Sequence, residues 1–251
     1  MSGSGFQHAV VIGASSGIGE AVARRLAADG AAVALVARRE DNLRRITAEL
    51  NAAHGEGRAI AVAHDVRAVA DIPELVREIA RRLGGLDLAV YAAGFMPEVA
   101  GDEYDTAKDR EILEVNLLGA IAWLNPVADR MARLGRGTIV GIGSVAGDRG
   151  RVGNPAYCTA KAGLHTFLES LRNRLAPHGV RVVTIKPGFV DTAMTRGKDG
   201  LFWVIPADRA AEIILDKARR GAATAYVPAR WRLVMTVIRA IPSFIFTRLG
   251  I

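Results

Sequence analysis

Cysteine is nearly missing from this chain. Cys158 is the only one in 251 residues, so no disulfide framework exists, and a reducing, cytoplasmic setting is expected. No run of about 20 apolar residues occurs, which argues against a membrane-spanning helix. The N-terminal "MSGSGFQHAVVIG" has no basic stretch leading into an apolar one, so no signal peptide is expected. Histidines are few and scattered. His8, His54, His64, His165 and His178 show no ligand spacing, and no metal is expected. The formal net charge is +7. Its arginines are dispersed, however, and no dense Lys/Arg run with interleaved aromatics appears, so nucleic-acid binding is not expected. What the chain does have is apolar material. Hydrophobic residues make up 50%, enough for a sizeable core.

That material is arranged in two alternating rhythms. Short β-branched apolar runs fall at 8–12, 31–37, 58–66, 86–94, 137–144, 180–188 and 224–228. Between them lie segments of helical period, at about 17–29, 40–53, 71–83, 107–134, 155–177 and 207–220. The first strands are continuously apolar, the pattern of a parallel sheet buried on both faces. Strand–helix alternation implies right-handed βαβ units and hence an α/β, doubly wound fold with a seven-stranded parallel sheet. No linker divides the chain. The expected organisation is one domain over 1–228, with a loop at 189–206 that shapes the substrate pocket and a C-terminal tail at 229–251.

The first strand runs into "GASSGIGE". Gly13, Gly17 and Gly19, with Ser15, Ser16 and Ile18 between them, form a strand-to-helix turn. Glycine permits close backbone approach there, and the next helix aims its free N–H groups at the same spot. A tight turn without ligand is the alternative. The context, the first βα unit of an alternating chain, points instead to a dinucleotide fingerprint in a Rossmann-type fold. At the end of the second strand the carboxylate that would hold a ribose 2′-OH is missing. Ala37, Arg38 and Arg39 stand there. A guanidinium matches a 2′-phosphate, so NADP(H) is predicted, with Arg38 as its main reader and Arg39 beside it.

"YCTAK" places Tyr157 and Lys161 at i, i+4, on one face of a helix that Pro155 opens. A phenol titrates near ~10 in water. A neighbouring ammonium favours phenolate and is expected to lower that value, making a pair that can move a proton. Alone, such a pair is compatible with chance. Ser144, however, ends the fifth strand, at the carboxyl edge where open α/β sheets bind ligands, and can hydrogen-bond a carbonyl. Asn116 lies mid-helix among apolar residues. Either it is a satisfied buried amide, or it holds a water that passes protons toward Lys161.

With these motifs in place, the chain resembles the short-chain dehydrogenase/reductases over almost its whole length. The carrying stretches are "GASSGIG" (13–19), "HDV" (64–66), "AAG" (92–94), "VN" (115–116), "GSVAG" (143–147), "YCTAK" (157–161) and "PGFVDT" (187–192). The resemblance implies Tyr157 as general acid/base and Lys161 as ribose ligand and tuner of Tyr157. It implies Ser144 as the holder of a carbonyl and Asn116 as the end of a proton relay. It also implies adenine contacts from Asp65 and Val66, a cofactor-lining Gly94, and a nicotinamide end held by Pro187, Gly188, Val190 and Thr192. It further implies a small-molecule carbonyl or alcohol substrate and a homodimer or homotetramer. Two departures stand out. Ile12 replaces the family's usual Thr, and Tyr91 and Ala92 replace two Asn. Losing both partners of one polar contact can be nearly neutral, so an apolar contact is expected in its place and activity is expected to survive.

The tail carries Arg230, Arg232, Arg239 and Arg248 and no acid. Trp231, Val234, Met235 and Ile238 form an apolar face, and Pro242 is expected to break the helix. Three readings stay open: core packing, contact with an anionic membrane surface, or a cap over the active site. The tail is weakly similar to that of reductases acting on polyprenyl-phosphate-linked keto sugars. A lipid-linked keto sugar or a 3-oxoacyl compound is accordingly among the candidate substrates. The expectation overall is an NADPH-dependent carbonyl reductase. A non-catalytic NADP(H)-binding regulator or a membrane-associated protein is the alternative.

Overall fold

The computed structural model describes residues 5–197 and 200–250. Four residues of the N-terminal stretch, two positions of the 189–206 loop and the last tail residue lie outside that range. Seven apolar runs pair as one parallel sheet in the order β3-β2-β1-β4-β5-β6-β9. These are β1 (His8–Ile12), β2 (Ala32–Ala37), β3 (Ala59–Ala63), β4 (Leu88–Tyr91), β5 (Gly137–Ile142), β6 (Val180–Pro187) and β9 (Thr224–Val227). The remaining two, β7 (Val190–Asp191) and β8 (Ile205–Pro206), form a separate small ladder.

Side chains alternate between the sheet faces, so each face has its own core. Ala9 and Val11 pack under α1 (Gly17–Ala28), α2 (Glu40–His54) and α7 (Ala207–Arg219). Val10 and Ile12 face α3 (Ile72–Leu83), α5 (Gly119–Leu134) and α6 (Pro155–Leu175). The strand order reverses between β1 and β4, and that switch point opens the crevice where a ligand fits. In the seven-stranded sheet every strand after the first is shorter than its apolar run, β5 ending at Ile142 rather than 144, and two are cut by several residues. Pairing ends at Ala63 and Tyr91 rather than 66 and 94, because past those points the chain turns to wall the crevice.

The helix expected over 107–134 is three pieces. α4 (Thr106–Leu113) and α5 are joined by a π-helical turn at Glu114–Leu118. The cause is Asn116. Its Nδ2 donates to Ile112 O at 2.9 Å and to Phe95 O at 2.7 Å, so a side chain takes a carbonyl the backbone ladder would have used. Tyr91 supports the same turn, its buried hydroxyl donating to Val115 O at 2.6 Å. Ile12 and Tyr91 share one apolar cluster, while the Tyr91 hydroxyl finds a backbone partner that an apolar replacement alone would not require.

The tail folds as α8 (Trp231–Ala240) and a short α9 (Ser243–Phe246), separated at Pro242. Trp231 and Met235 are buried with Val145, against Phe189 and Tyr226. Arg149 ties down the far end of α8, donating to Ile238 O and Ile241 O, both at 2.6 Å, while its guanidinium lies 3.9 Å from the Phe246 ring centroid.

Replacing Tyr91 by Phe leaves the buried Val115 carbonyl without this donor. We expect a loss of about 1–3 kcal/mol in unfolding free energy, read from urea denaturation with an unchanged m-value.

Candidate active site

The glycine turn sits at the carboxyl end of β1. A Cβ on Gly13, whose φ is +91°, would lie 2.4 Å from Ala93 N, and one on Gly19 would lie 2.2 Å from Gly13 O. Only glycine allows strand, turn and helix to approach this closely. Ser16 precedes α1 in extended conformation and makes no side-chain cap, so the first N–H groups of α1 point into the crevice, the arrangement that binds a phosphate. The serine hydroxyls are engaged by Arg39. Its Nη2 donates to Ser15 Oγ at 2.9 Å and to Ser16 Oγ at 2.6 Å. Arg38 is half exposed, 3.9 Å from Asp65 Oδ2. Hydrogen bonds from Arg67 hold the Asp65 carboxyl below its ordinary value, with the Arg38 charge a smaller contribution. Both arginines and Ala37 line the crevice. No carboxylate stands at the end of β2.

At the opposite end, α6 is capped by Asn154, whose Oδ1 accepts from Tyr157 N at 2.9 Å. One turn further on, Lys161 is buried, its Nζ donating to Ile142 O at 3.0 Å and lying 5.5 Å from the centre of the Tyr157 ring. Burial sets both titrations. It pushes the Tyr157 phenol up to about 12, with the hydrogen bond to Ser144 pulling the other way. It pulls Lys161 down to about 8. This differs from the sequence expectation that the ammonium would lower the phenol: loss of water disfavours the phenolate by more than the hydrogen bond to Ser144 returns.

Ser144 lies two residues past the end of β5 in extended backbone, and its Oγ accepts from Ala146 N at 3.1 Å. Behind it lies a buried polar group that sequence reading missed. Ser144 N donates to His165 Nε2 at 3.4 Å, and His165 Nδ1 lies 3.8 Å from Asp148 Oδ1. The Asp148 side chain is 2% exposed and also accepts from Lys186 Nζ and, at 2.7 Å, from Tyr226 Oη. Burial and the nearby Lys186 charge press His165 down to about 3, so it is neutral, with its proton on Nδ1 facing Asp148.

These ends belong to one cleft of about 530 Å³. It is lined by Gly13, Ser15, Ser16, Gly17, Ile18, Gly19, Arg38, Arg39, Val66, Gly94, Ser144, Tyr157, Lys161, Pro187, Gly188, Val190 and Thr192. Asp65 and Asn116 stand outside the lining. Asn116 sits behind Gly94, its amide engaged by Phe95 and Ile112. Lining residues not anticipated include His64, Ala93, Met194 and Thr195. His64 belongs to the "HDV" stretch, and its lack of metal-ligand spacing gives no sign of this position. Met194 and Thr195 carry no pattern that marks them. Trp231 closes the wall behind Gly188, where a Cβ would meet the indole at 1.9 Å.

The short chain dehydrogenase family model matches residues 7–200. An uncharacterized oxidoreductase of Mycobacterium tuberculosis is 33% identical over 252 residues, covering 99% of each chain. A short-chain reductase, NovJ, of Streptomyces niveus is 35% identical over 235 residues, covering 92% of this chain and 85% of that protein. Among solved structures, an actinorhodin polyketide ketoreductase crystallised with NADPH superposes with a TM-score of 0.78 at 29% identity, covering 88% of this chain and 94% of that one. A short-chain type dehydrogenase/reductase from Mycobacterium marinum gives 0.79 at 26% identity, covering 88% and 92%. With that match spanning most of its length and with a glycine turn, a strand-end serine and a Tyr–Lys pair gathered in one cleft, the chain belongs to the short-chain dehydrogenase/reductase family of oxidoreductases, whose members use a nicotinamide cofactor.

Proposed function

We propose that the protein is an NADPH-dependent reductase that converts a ketone to an alcohol. The observation that carries this reading is the convergence of Ser144, Tyr157 and Lys161 at one end of a cleft whose other end presents Arg38 and Arg39 and no acid. The cleft fits a dinucleotide. Gly13 and Gly19 leave room for close backbone approach, and the uncapped start of α1 suits the pyrophosphate. Arg38 and Arg39 suit a 2′-phosphate, and Pro187, Gly188, Val190 and Thr192 would hold the nicotinamide end. When bound, the cofactor supplies the hydride.

The protein's own part is placement and proton transfer. The Ser144 hydroxyl holds the carbonyl oxygen beside the Tyr157 phenol. With its pKa near 12, Tyr157 carries its proton throughout the physiological range, the form that reduction needs. The Tyr157 O–H bond breaks as the substrate oxygen gains the proton, and the resulting phenolate is stabilised by Lys161. Asn116 acts by shaping the π turn behind Gly94. A homodimer or homotetramer belongs to the same reading.

Tyr157→Phe is expected to lower kcat by roughly 10²–10⁴-fold while NADPH binding stays within a few-fold, read by NADPH absorbance and fluorescence titration. Retention of most of the wild-type kcat would falsify the proton-transfer role. A panel of acyl-thioester, steroid-like and lipid-linked sugar ketones in the same assay identifies the substrate class.

The pH profile follows from Lys161. A lysine with a depressed pKa is charged below it and neutral above it. Reduction therefore holds up at neutral pH and declines as pH rises through about 8, and Lys161→Met abolishes that inflection.

Arg38→Ala and Arg39→Ala are each expected to raise the KM for NADPH by about 10- to 100-fold, the worth of a hydrogen bond to a charged group, and to leave the KM for NADH nearly unchanged. Equal NADH and NADPH affinities in the unaltered protein would defeat this assignment.

A further inference from the structure

The outer surface of the tail plays no part in the reductase reading. α8 has three stripes rather than two. One is buried, built on Trp231 and Met235. A second is polar, formed by Arg232, Thr236 and Arg239. The third is apolar and faces water, with Leu233 73% and Val237 57% exposed. Beyond Pro242 the pattern continues, with Phe244 67% exposed and Ile245 and Leu249 also open to solvent. The loop that packs on this helix adds exposed aromatics. Phe202 and Trp203 lie against Trp231, and the Arg230 guanidinium covers the Trp203 ring at 4.7 Å. Large apolar groups gathered in this way mark a docking surface rather than ordinary surface scatter.

Charge decides what docks. No acid occurs after Asp216, while Arg230, Arg232, Arg239 and Arg248 punctuate the apolar residues. A second copy meeting this surface about a two-fold axis would set arginines against arginines with no carboxylate in either tail to answer them. An anionic lipid surface answers both features at once. It takes apolar side chains into the acyl boundary and arginines among its phosphates. Among the described residues no helix is long and apolar enough to cross a membrane, so the contact lies in the interface plane. Trp203, carried with Arg230, suits the headgroup level.

We propose that the outer surface of the tail, centred on Leu233, Val237 and Phe244, docks the folded protein reversibly onto an anionic bilayer. This rests on exposure and charge and is independent of the reductase reading.

The test is flotation of the full-length protein with vesicles of equal parts phosphatidylglycerol and phosphatidylcholine, and with vesicles of phosphatidylcholine alone. The protein is expected to rise with the anionic vesicles and to remain behind with the neutral ones. Leu233→Ser, Val237→Ser and Phe244→Ser combined should lower partitioning at least tenfold. Arg232→Gln and Arg239→Gln should each lower it about fivefold, an effect that added salt mimics. Unchanged thermal unfolding by circular dichroism shows that the variants fold. A wild-type protein that ignores anionic vesicles overturns the proposal, as does a triple variant that floats as well as wild type. Equal flotation on both lipids overturns the anionic assignment. A triple variant that converts a dimer to a monomer, with no vesicle binding by wild type, assigns the surface to contact between copies instead.

Discussion

The cleft depends on one close passage, that of Gly13 against the chain leaving β4. No side chain fits between them, since a Cβ at Gly13 would lie 2.4 Å from Ala93 N. Gly13 N bonds to Val36 O on one side of β1, and Ala92 N bonds to Ile12 O on the other. The three strand ends are thereby fixed together before any side chain is considered. From that point the crossovers diverge to opposite faces of the sheet, and the crevice between them is the cleft. The direction of α1, the reach of Arg39 to Ser15 and Ser16, and the position of Gly94 in front of Asn116 all follow from this one tight crossing.

At the other end of the cleft the governing effect is removal of water. Tyr157 and Lys161 are both buried, and both are driven toward their neutral forms. The two shifts run in opposite senses on the pH scale, which leaves a neutral phenol beside an ammonium at physiological pH. Asp148 shows the complementary case. Its buried carboxyl group is met by Lys186 and Tyr226, with the neutral His165 beside it, so the polar atoms it takes out of water find partners inside.

Much of this was readable in the residues. Continuous apolar runs revealed a parallel sheet, because burial on both faces leaves no polar alternation. "GASSGIG" and "YCTAK" revealed the cleft's two ends, because close backbone approach and an i, i+4 pair are local properties. The features that escaped depend on distant partners. The π turn arises from Asn116 reaching Phe95, which the sequence places on another segment. The direction of the Tyr157 shift depends on depth of burial, which no spacing encodes. Asp148 is a solitary acid in its stretch, and only the meeting of α6, β6 and β9 makes it a hub. On α8 the apolar face read from Trp231, Val234, Met235 and Ile238 is the inward one, and the outward Leu233 and Val237 fall outside its spacing.

The joining of Tyr226 and Trp231 to the site ties two of its walls to β9 and α8. Asp148, which backs Ser144 through His165, accepts from Tyr226, a residue 78 positions away, and the Gly188 wall leans on Trp231. A substitution in β9 or α8 therefore reaches the cleft through side chains that do not line it, so tolerance to change in those two elements is set by the cleft as much as by their own packing.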